Sequence, residues 1–477
     1  MSERICIIGG GPGGYVAAIR AAQLGAEVTL IEQDELGGVC LNRGCIPSKI
    51  MRHAAELLEK LHRAQEFGLK LNGNLHADLK SVMERKERVI QNQVKGIRRL
   101  LDHHKINYLK GFGTIKGPHC TTVKLLDGKI LEVLWESLIL APGSRAAGIP
   151  AFPFDGKRIL SSDHALNLHE VPESILIVGG GVIGCEFAFI LDALGSQVIV
   201  VEALARMLPL PSVDEDCSKI LQREMKKRKI GFMVNRTVER IEEEGEKIRI
   251  TIVPSPLATD PRGRDRGPII KEVAKLLVCI GRMPNTAGIG LERIGVRMDE
   301  KGWIVADEGM ETSASGVYAV GDVLGPSKGM LAHVASTEGR VAAENAAGGT
   351  QAMDYRVAPV AIFTMPEVAN VGLTEAQARE QGYHIRADSV LFRNLGKAQV
   401  IGELAGEVKI VSDAENRRIL GVHMVGPHAT DLIAEGALAI QSGCTVKDLA
   451  QTIHAHPTLA EIMLEASHKA LDRPLHG

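Results

Sequence analysis

The chain has 477 residues, with 56 basic and 58 acidic side chains and a formal net charge of −2. Hydrophobic residues make up 45% and charged residues 24%, values typical of globular proteins, so an intrinsically disordered chain is excluded. Because there is no basic excess to neutralise phosphates, the composition also argues against binding of nucleic acid or anionic membranes. The length predicts about three domains.

Targeting segments and disulfide scaffolds are not indicated. The first residues carry neither a secretory nor a mitochondrial leader, and apolar runs such as 175–185 are too short to span a bilayer. We therefore expect an intracellular, cytoplasmic chain with no membrane partner. Eight cysteines in so long a chain do not form a disulfide framework. The 51 glycines, by contrast, indicate many close backbone approaches.

The N-terminal residues are predicted to form a strand–helix–strand unit. A strand over Arg4–Ile8, a helix over 15–24 and a strand over Glu27–Glu32 follow one another. The turn before the helix fits G-x-G-x-x-G, a pattern typical of dinucleotide binding, through Gly9, Gly11 and Gly14. Glu32 closes the second strand, where a carboxylate can bind the hydroxyls of an adenine ribose.

Residues 175–202 repeat this unit. The glycines are Gly179, Gly181 and Gly184, and the acid is Glu202. The first glycine and the acid are 23 positions apart in both copies, from 9 to 32 and from 179 to 202. One such motif means little in a glycine-rich chain, but two with equal spacing predict two dinucleotide sites. Glu202 would repel a 2′-phosphate, which favours NAD over NADP at the second site.

Two cysteines stand apart from the scattered others. Cys40 and Cys45 are separated by four residues, a spacing that differs from the C-x-x-C of thioredoxins and zinc ribbons. A helix is predicted to begin in this segment and to continue through 50–62, so its dipole can stabilise a thiolate in the first turn. Lys49 lies four residues after Cys45, on the same helix face. The segment favours reversible disulfide chemistry beside a redox cofactor.

Residues 37–49, Gly-Gly-Val-Cys-Leu-Asn-Arg-Gly-Cys-Ile-Pro-Ser-Lys, resemble the redox-disulfide motif of the class I pyridine nucleotide–disulfide oxidoreductases. In detail they are similar to the branch of that family that oxidises dihydrolipoamide, and the resemblance covers essentially the whole chain. It implies FAD at the first dinucleotide site and NAD at the second. It also implies that Cys45 faces the flavin, that Cys40 exchanges with the substrate, and that Lys49 lies near the flavin and pairs with Glu186.

Further segments are similar to the flavin-binding parts of this family. Gly321-Asp322 follows a strand, and the resemblance implies that Asp322 binds the ribityl chain of the flavin. A helix predicted over 330–347 implies flavin neighbours at its start, namely Met330, Ala332 and His333. The family usually has fewer residues here, so 326–328 resembles a short insertion.

Two loops are assigned to the cofactor sites by the same resemblance. Ala141-Pro142-Gly143-Ser144 departs from the usual Ala-Thr-Gly-Ser, and Gly143 is the flavin contact implied there. Residues 280–285 are similar to the motif that closes the NAD domain, which implies NAD contacts for Gly281 and Arg282. Residues 254–267 are predicted to be an exposed loop and are assigned no chemistry.

The C-terminal region carries a candidate acid–base pair. His456 precedes a helix predicted to end at 471, and Glu461 lies within its first turns, so the two can hydrogen-bond. A carboxylate on one imidazole nitrogen fixes the tautomer and raises the basicity of the other. A histidine alone at this position is more typical of helix capping. The family resemblance implies instead that the pair serves the disulfide of a second subunit, hence a homodimer.

Together these features predict an α/β protein with two Rossmann-like domains, a central domain and an α+β dimerisation domain. We predict an FAD-binding domain over 1–147, an NAD-binding domain over 148–278, a central domain over 279–349 and an interface domain over 350–477. The resemblance implies oxidation of dihydrolipoamide with NAD⁺. Its implied partners are the lipoyl domains of a dihydrolipoamide acyltransferase or the lipoyl carrier of glycine cleavage. No metal is expected.

Related activities are less consistent with the sequence. A glutathione reductase needs arginines near Glu202 and a tyrosine where Val182 stands, and a mercuric reductase needs a C-terminal cysteine pair, whereas the last cysteine is Cys444. A soluble transhydrogenase lacks the Cys40 and Cys45 pair. A reductase of another disulfide, a docking subunit and a slow redox sensor remain alternatives.

Overall fold

The computed structural model describes residues 3–73, 75–258 and 267–476. The chain divides into two compact units. The first unit comprises Met1–Met51, Asp78–Ala147 and Gly281–Tyr355, and the second comprises Arg52–Ala77, Gly148–Ile280 and Arg356–Gly477. Each helix within the described residues is too short or too polar to cross a lipid bilayer.

The strands are β1 Arg4–Ile8, β2 Glu27–Glu32, β3 Asn107–Gly117, β4 Cys120–Leu125, β5 Ile130–Leu134, β6 Ser137–Leu140, β7 Ser144–Ala146, β8 Ile159–Leu160, β9 Ser174–Val178, β10 Gln197–Val201, β11 Gly231–Met233, β12 Arg236–Glu244, β13 Lys247–Pro254, β14 Ile269–Val273, β15 Lys275–Val278, β16 Arg282–Pro284, β17 Val317–Ala319, β18 Val360–Ile362, β19 Glu367–Gly372, β20 Ile385–Leu391, β21 Glu407–Asp413 and β22 Ile419–Gly426.

The α-helices are α1 Pro12–Gln23, α2 Gly38–Arg43, α3 Cys45–His62, α4 Leu79–His103, α5 Ser162–Ala165, α6 Val182–Ala193, α7 Glu215–Lys227, α8 Ala332–Ala346, α9 Glu375–Glu380, α10 Gly396–Ile401, α11 Ala429–Gln441, α12 Val446–Gln451 and α13 Glu461–Ala470.

The first unit is built on the sheet β17-β6-β1-β2-β3-β4-β5. The strands from β17 to β3 are parallel, and β4 and β5 continue the sheet as an antiparallel meander. The parallel strand β1 reads as a continuous apolar run because it is covered on both faces. The carboxyl ends of β1, β6 and β17 meet at one edge, where ligands bind in open α/β sheets.

Helices α1 and α8 pack closely beside this edge. A Cβ atom placed on Gly339 of α8 would lie 2.2 Å from the carbonyl oxygen of Gly13 in α1, so the approach requires a glycine. The helix predicted over 15–24 begins earlier, at Pro12, because proline lacks the N–H that a first turn leaves unbonded. The helix predicted over 330–347 begins at Ala332, since Met330 adopts a positive φ of 49°.

The second unit contains a second Rossmann-like sheet. Its order is β11-β10-β9-β15-β8, all parallel, and β12, β13 and β14 form an antiparallel sheet beside it. Most of the predicted exposed loop, residues 259–266, lies outside the described residues. The repeat over 175–202 therefore folds as predicted into β9, α6 and β10.

The C-terminal part of the second unit is an antiparallel sheet with helices. Its strand order is β18-β19-β22-β21-β20, and residues of α11, α12 and α13 share its apolar core. This mixed layer combines strands that are buried along most of their length, such as β22, with helices that have one apolar face, such as α13. With the two parallel sheets it confirms the predicted fold class.

A buried ammonium group links α7 to the C-terminal sheet inside the second unit. The side chain of Lys409 in β21 is 8% exposed, and its Nζ lies 2.9 Å from Oδ1 of Asp214 and 3.4 Å from Oε2 of Glu375. It also contacts Asp216. Burial tends to raise the pKa values of both aspartates, but the hydrogen bonds from Lys409 outweigh it and hold them below their ordinary value.

We expect Lys409→Met to destabilise the protein by about 3–5 kcal/mol, because it leaves Asp214 buried without its countercharge. In the native chain, the lowered pKa values let these carboxylates stabilise the fold fully above their unfolded pKa, near 4, and the contribution is lost as the pH falls through the folded value. In the variant, Asp214 is buried without a countercharge, so its protonation relieves part of the cost of burial. The variant should therefore gain stability, relative to the native chain, as the pH falls from 7 towards 4. Melting temperatures across that range measure both effects. Lys219→Met is the matched control, since exposed Lys219 also binds Asp216 and should change stability by less than about 1 kcal/mol.

Candidate active site

The two predicted glycine turns have the same geometry. Gly9 has a φ of 109° and Gly179 a φ of 106°, both in the region that favours glycine. A Cβ on Gly14 would lie 1.8 Å from the carbonyl oxygen of Gly9, so the third glycine is needed for helix–strand packing. A Cβ on Gly181 would meet no atom within 4 Å, and one on Gly11 only the Cα of Gly38 at 3.8 Å. The second glycine of each motif thus leaves open space where a pyrophosphate can approach.

The acid of each repeat is tied to its own glycine turn. Glu32 accepts hydrogen bonds from the N–H groups of Gly10, at 2.6 Å, and Asp34, at 2.7 Å. Glu202 accepts from Gly180 and Leu204 at the same two distances. Burial raises the pKa of Glu32 despite these bonds. Each carboxylate keeps lone pairs for further donors, such as ribose hydroxyls.

A cleft of about 210 Å³ opens beside the first turn, within the first unit. It is lined by Ile8, Gly9, Ile31, Glu32, Gln33, Gly111, Phe112, Gly113, Pro142, Arg145, Asn285, Ala287 and Ile289. Backbone groups of glycines, one acid for a ribose and one arginine for a phosphate make this lining suited to the adenosine diphosphate part of a dinucleotide. The residues present therefore fit FAD.

The cysteine segment packs directly on the first glycine turn. The N–H of Gly37 donates to the carbonyl oxygen of Gly10 at 2.8 Å. A Cβ on Gly38 would lie 2.7 Å from the Cα of Gly11, so this approach also requires glycine. Cys40 lies in α2, and Cys45 is the first residue of α3, as the sequence predicts. The helix dipole favours a thiolate in this first turn.

The two thiols interact with each other. Both are partly buried thiols. The hydrogen bond with Cys45, followed by burial and the charge on Cys45, raises the pKa of Cys40 far above its ordinary value, although Lys49 acts in the opposite direction. Cys40 therefore holds its proton more tightly than an isolated thiol does.

The predicted partners Lys49 and Glu186 lie in different units, and their pairing stays a prediction. Lys49 is in α3, in the first unit. Glu186 is in α6 and is 6% exposed, so it is not a solvated helix residue. Its Oε1 accepts a hydrogen bond from the N–H of Phe363 at 2.9 Å.

Three predicted loops converge in the first unit around Asp322. Its Oδ2 accepts a hydrogen bond from the hydroxyl of Ser144 at 2.5 Å, and it lies 3.5 Å from Nε of Arg282. Arg282 donates to the hydroxyl and carbonyl oxygens of Ser144 at 2.6 and 2.9 Å. Burial raises the pKa of Asp322, and the bond from Ser144 and the charge of Arg282 oppose this. Gly143 precedes Ser144, and Gly281 precedes Arg282, so both lie at this junction.

Helix α8 begins near the same junction. Met330 and Ala332 are partly buried, and His333 is exposed in the first turn of the helix. The sequence interpretation missed Glu338, which lies farther along α8 and binds the N–H of Gly321 at 2.7 Å. The signal available in the sequence was an acidic residue in a predicted helix rich in small residues, because an acid that packs in such a helix needs hydrogen-bond donors.

The predicted contact between His456 and Glu461 is formed. Nδ1 of His456 lies 2.9 Å from Oε1 of Glu461, and the other carboxylate oxygen accepts the N–H of Thr458 at 2.9 Å. Burial tends to raise the pKa of Glu461, but these two bonds outweigh it and lower the value. Because a carboxylate only accepts, Nδ1 carries the proton, and Nε2 is left as the proton acceptor. The ring is 77% exposed and thus accessible to a substrate thiol.

The neighbouring His454 has a different environment. Its Nε2 lies 2.8 Å from Glu435, its Nδ1 lies 3.0 Å from the carbonyl oxygen of Thr452, and its side chain is 5% exposed. Both ring nitrogens are thus engaged by oxygen acceptors. Of the two histidines, only His456 presents an accessible nitrogen for proton transfer.

Comparison with known proteins identifies the family. Residues 3–339 match the model of pyridine nucleotide-disulphide oxidoreductases, and residues 358–467 match the dimerisation domain of the same family. Dihydrolipoyl dehydrogenase of Chlamydia muridarum is 42% identical over 98% of this chain and 97% of that protein. Dihydrolipoyl dehydrogenase of Thermus scotoductus is 40% identical over 99% of this chain and 98% of that protein. A mitochondrial dihydrolipoyl dehydrogenase of Arabidopsis thaliana is 38% identical over 99% of this chain and 91% of that protein.

Solved structures agree with these relatives. LpdA of Mycobacterium tuberculosis superposes with a TM-score of 0.89 at 29% identity, covering 98% of this chain and 99% of that one. The HOCl-induced flavoprotein disulfide reductase RclA of Escherichia coli gives 0.84 at 25% identity, with the same coverage. On the matched models, the full-length relatives and the site that the fold assembles, this chain belongs to the pyridine nucleotide-disulphide oxidoreductases, dimeric enzymes that use FAD and NAD.

Proposed function

We propose that this chain oxidises dihydrolipoamide to lipoamide and reduces NAD⁺ to NADH, with release of one proton. The observation that carries the proposal is the pair Cys40 and Cys45, hydrogen-bonded to each other, with Cys45 at a helix N-terminus against the first glycine turn. The names of the full-length relatives support the choice of substrate.

The chain's own residues supply thiol exchange and proton transfer. His456 takes the proton from one substrate thiol, and the resulting thiolate attacks Cys40 of the oxidised pair, so that the Cys40–Cys45 bond breaks and a mixed disulfide forms. The second substrate thiol then displaces Cys40, releasing lipoamide and leaving two reduced cysteines. FAD, held by the contacts proposed below, would supply the two-electron redox chemistry that links re-formation of the Cys40–Cys45 disulfide to reduction of NAD⁺. Glu461 holds His456 in the tautomer that this step needs.

The dimerisation domain carries the proposed catalytic base, His456. The family's dimerisation domain includes both His456 and Glu461. We propose that this pair serves the disulfide of the second subunit, so that an isolated subunit has an incomplete site. The exposed ring of His456 is accessible to groups of another subunit, which supports this arrangement.

For the cofactors, we propose FAD contacts at Gly9, Gly11, Gly14, Glu32, Lys49, Gly143, Asp322, Met330, Ala332 and His333. For NAD, we propose Gly179, Gly181, Gly184, Glu202, Gly281 and Arg282. The contacts of Arg282 with Asp322 and Ser144 support a second role for this arginine, on the flavin side. Paired Lys49 and Glu186 would balance charge near the flavin.

We further propose the four domains 1–147, 148–278, 279–349 and 350–477, and a cytoplasmic enzyme. Its partners would be lipoyl domains of a dihydrolipoamide acyltransferase or the lipoyl carrier of glycine cleavage. The bacterial relatives support the compartment, although some plant relatives are named mitochondrial.

The nucleotide preference gives one prediction. Glu202→Ala should raise the KM for NAD⁺ about 10- to 100-fold, because a charge-assisted bond to the ribose is lost, and should improve the use of NADP⁺, because the carboxylate no longer repels the 2′-phosphate. Steady-state kinetics with both nucleotides measures the change in discrimination. Equal kcat/KM values for NAD⁺ and NADP⁺ in the native enzyme would contradict the NAD assignment.

An anaerobic titration tests the proposed reaction as a whole. The FAD-loaded protein should be reduced both by NADH and by dihydrolipoamide, with a long-wavelength band from the Cys45 thiolate beside the flavin. Reduction by NADH without reduction by dihydrolipoamide would point to a reductase of another disulfide. Slow exchange with dihydrolipoamide, on the scale of minutes, would point to a redox sensor.

A further inference from the structure

Glu338 is a buried acid with two donors. It is 1% exposed and lies in α8, in the first unit. Its Oε2 accepts the N–H of Gly321 at 2.7 Å, and its Oε1 accepts the hydroxyl of Tyr355 at 2.7 Å. A buried carboxyl group is costly unless it is paired in this way. Both bonds lead to segments distant in sequence, since Gly321 is 17 residues before Glu338 and Tyr355 is 17 residues after it.

The insertion-like turn Pro326–Lys328 completes the arrangement. Nζ of Lys328 lies 4.3 Å from the centre of the Tyr355 ring, a cation–π contact. Burial raises the pKa of Glu338, and the charge of Lys328 opposes this. Lys328 therefore acts on the carboxylate both through its charge and by holding the tyrosine that donates to it.

The arrangement bears on Asp322 through its backbone. Gly321 has a φ of 77°, and its N–H donates to Glu338, so the peptide bond between Val320 and Gly321, immediately before the Gly321–Asp322 peptide, has a fixed orientation. The hydroxyl of Ser144 donates to the side chain of Asp322. The backbone one residue before Asp322 is thus held by one acid, and the carboxylate of Asp322 by one hydroxyl.

We propose that Glu338, Tyr355 and Lys328 form a positioning brace that sets Asp322 for its contact with the flavin. This inference depends on the proposed role of Asp322 in binding FAD. Since none of the three residues is among the proposed cofactor contacts, they act through Gly321. The turn Pro326–Lys328 thereby gains a function.

The test measures FAD release from the holoenzyme, which is followed by the fluorescence of free FAD, and the visible circular dichroism of bound FAD, which reports the flavin's orientation. Tyr355→Phe removes one donor and should speed FAD release about tenfold and change the dichroism. Lys328→Met should speed release about threefold. Glu338→Gln should be close to the native protein in FAD release, since its amide can accept from Gly321 and donate to Tyr355, whereas Glu338→Ala should release FAD much faster.

Two control variants are available. Glu344→Gln alters an acid of α8 that binds Arg20 at 2.8 Å, and Tyr383→Phe alters an exposed tyrosine. Both should retain native FAD release and dichroism. All measurements are made below the melting temperature of each variant, so that a general loss of stability does not imitate release.

The outcomes distinguish a failure of the proposed role of Asp322 from a failure of the brace. Asp322→Asn with native FAD release would overturn the proposed role of Asp322 itself. Faster release from Asp322→Asn, together with native release and dichroism in Tyr355→Phe and Lys328→Met, would overturn the brace and leave the proposed function intact. Should Glu338→Ala not fold, the surface variant Lys328→Met still decides the outcome.

Discussion

Replacing Cys45 with serine should lower dihydrolipoamide turnover by roughly a thousandfold or more and leave FAD bound. The serine hydroxyl cannot form the redox disulfide, so the electrons of the substrate no longer have a route through the protein. FAD should stay, because the glycine turn, Glu32 and the cleft that fit it are unchanged. Reduction of NAD⁺ by dihydrolipoamide measures the turnover, and the visible absorbance of the purified variant measures the bound FAD.

Two further variants make this test specific. Cys40→Ser should lose turnover to a similar extent, since both sulfur atoms belong to one disulfide. Cys120→Ser, in the antiparallel meander of the first unit, is the matched control and should turn over as the native enzyme does. Full turnover in Cys45→Ser would exclude the proposed mechanism.

Replacing His456 with glutamine should lower kcat for dihydrolipoamide about 10²- to 10⁴-fold, the range that general acid–base catalysis contributes. Glutamine keeps a polar side chain near Glu461 but cannot accept the thiol proton at physiological pH. Reduction of FAD by NADH needs no such proton acceptor and should keep its native rate. Stopped-flow measurements of FAD reduction by dihydrolipoamide alone and by NADH alone compare the two rates.

The chain offers a close control for this histidine. His476 also lies beside α13, is exposed, and has its Nδ1 2.8 Å from Oε1 of Glu465. His476→Gln removes a histidine–glutamate pair of the same kind and should leave both reactions unchanged. If the two histidine variants behave alike, the loss does not come from proton transfer at His456.

Local physical constraints explain which predictions from the sequence were accurate. The turns at Gly9 and Gly179 were predictable because a positive φ and the contact of the third glycine with the first leave room only for glycine. The contact of His456 with Glu461 joins residues only five apart, and the helix that begins at Cys45 was predicted from the segment around it. The predicted and observed ends of helices differed by a few residues, as at Pro12.

The sequence by itself determined the two βαβ repeats, the cysteine pair and the family, since each depends on spacing within about 30 residues. The tertiary structure decided which distant segments meet. Arg282, predicted from its motif to serve NAD, binds Ser144 and Asp322 because β16 pairs with β7 in the first unit. Glu338 and Lys409 acquired their partners in the same way, because strand order in a sheet is set by packing of whole elements and not by the local periodicity that a sequence displays.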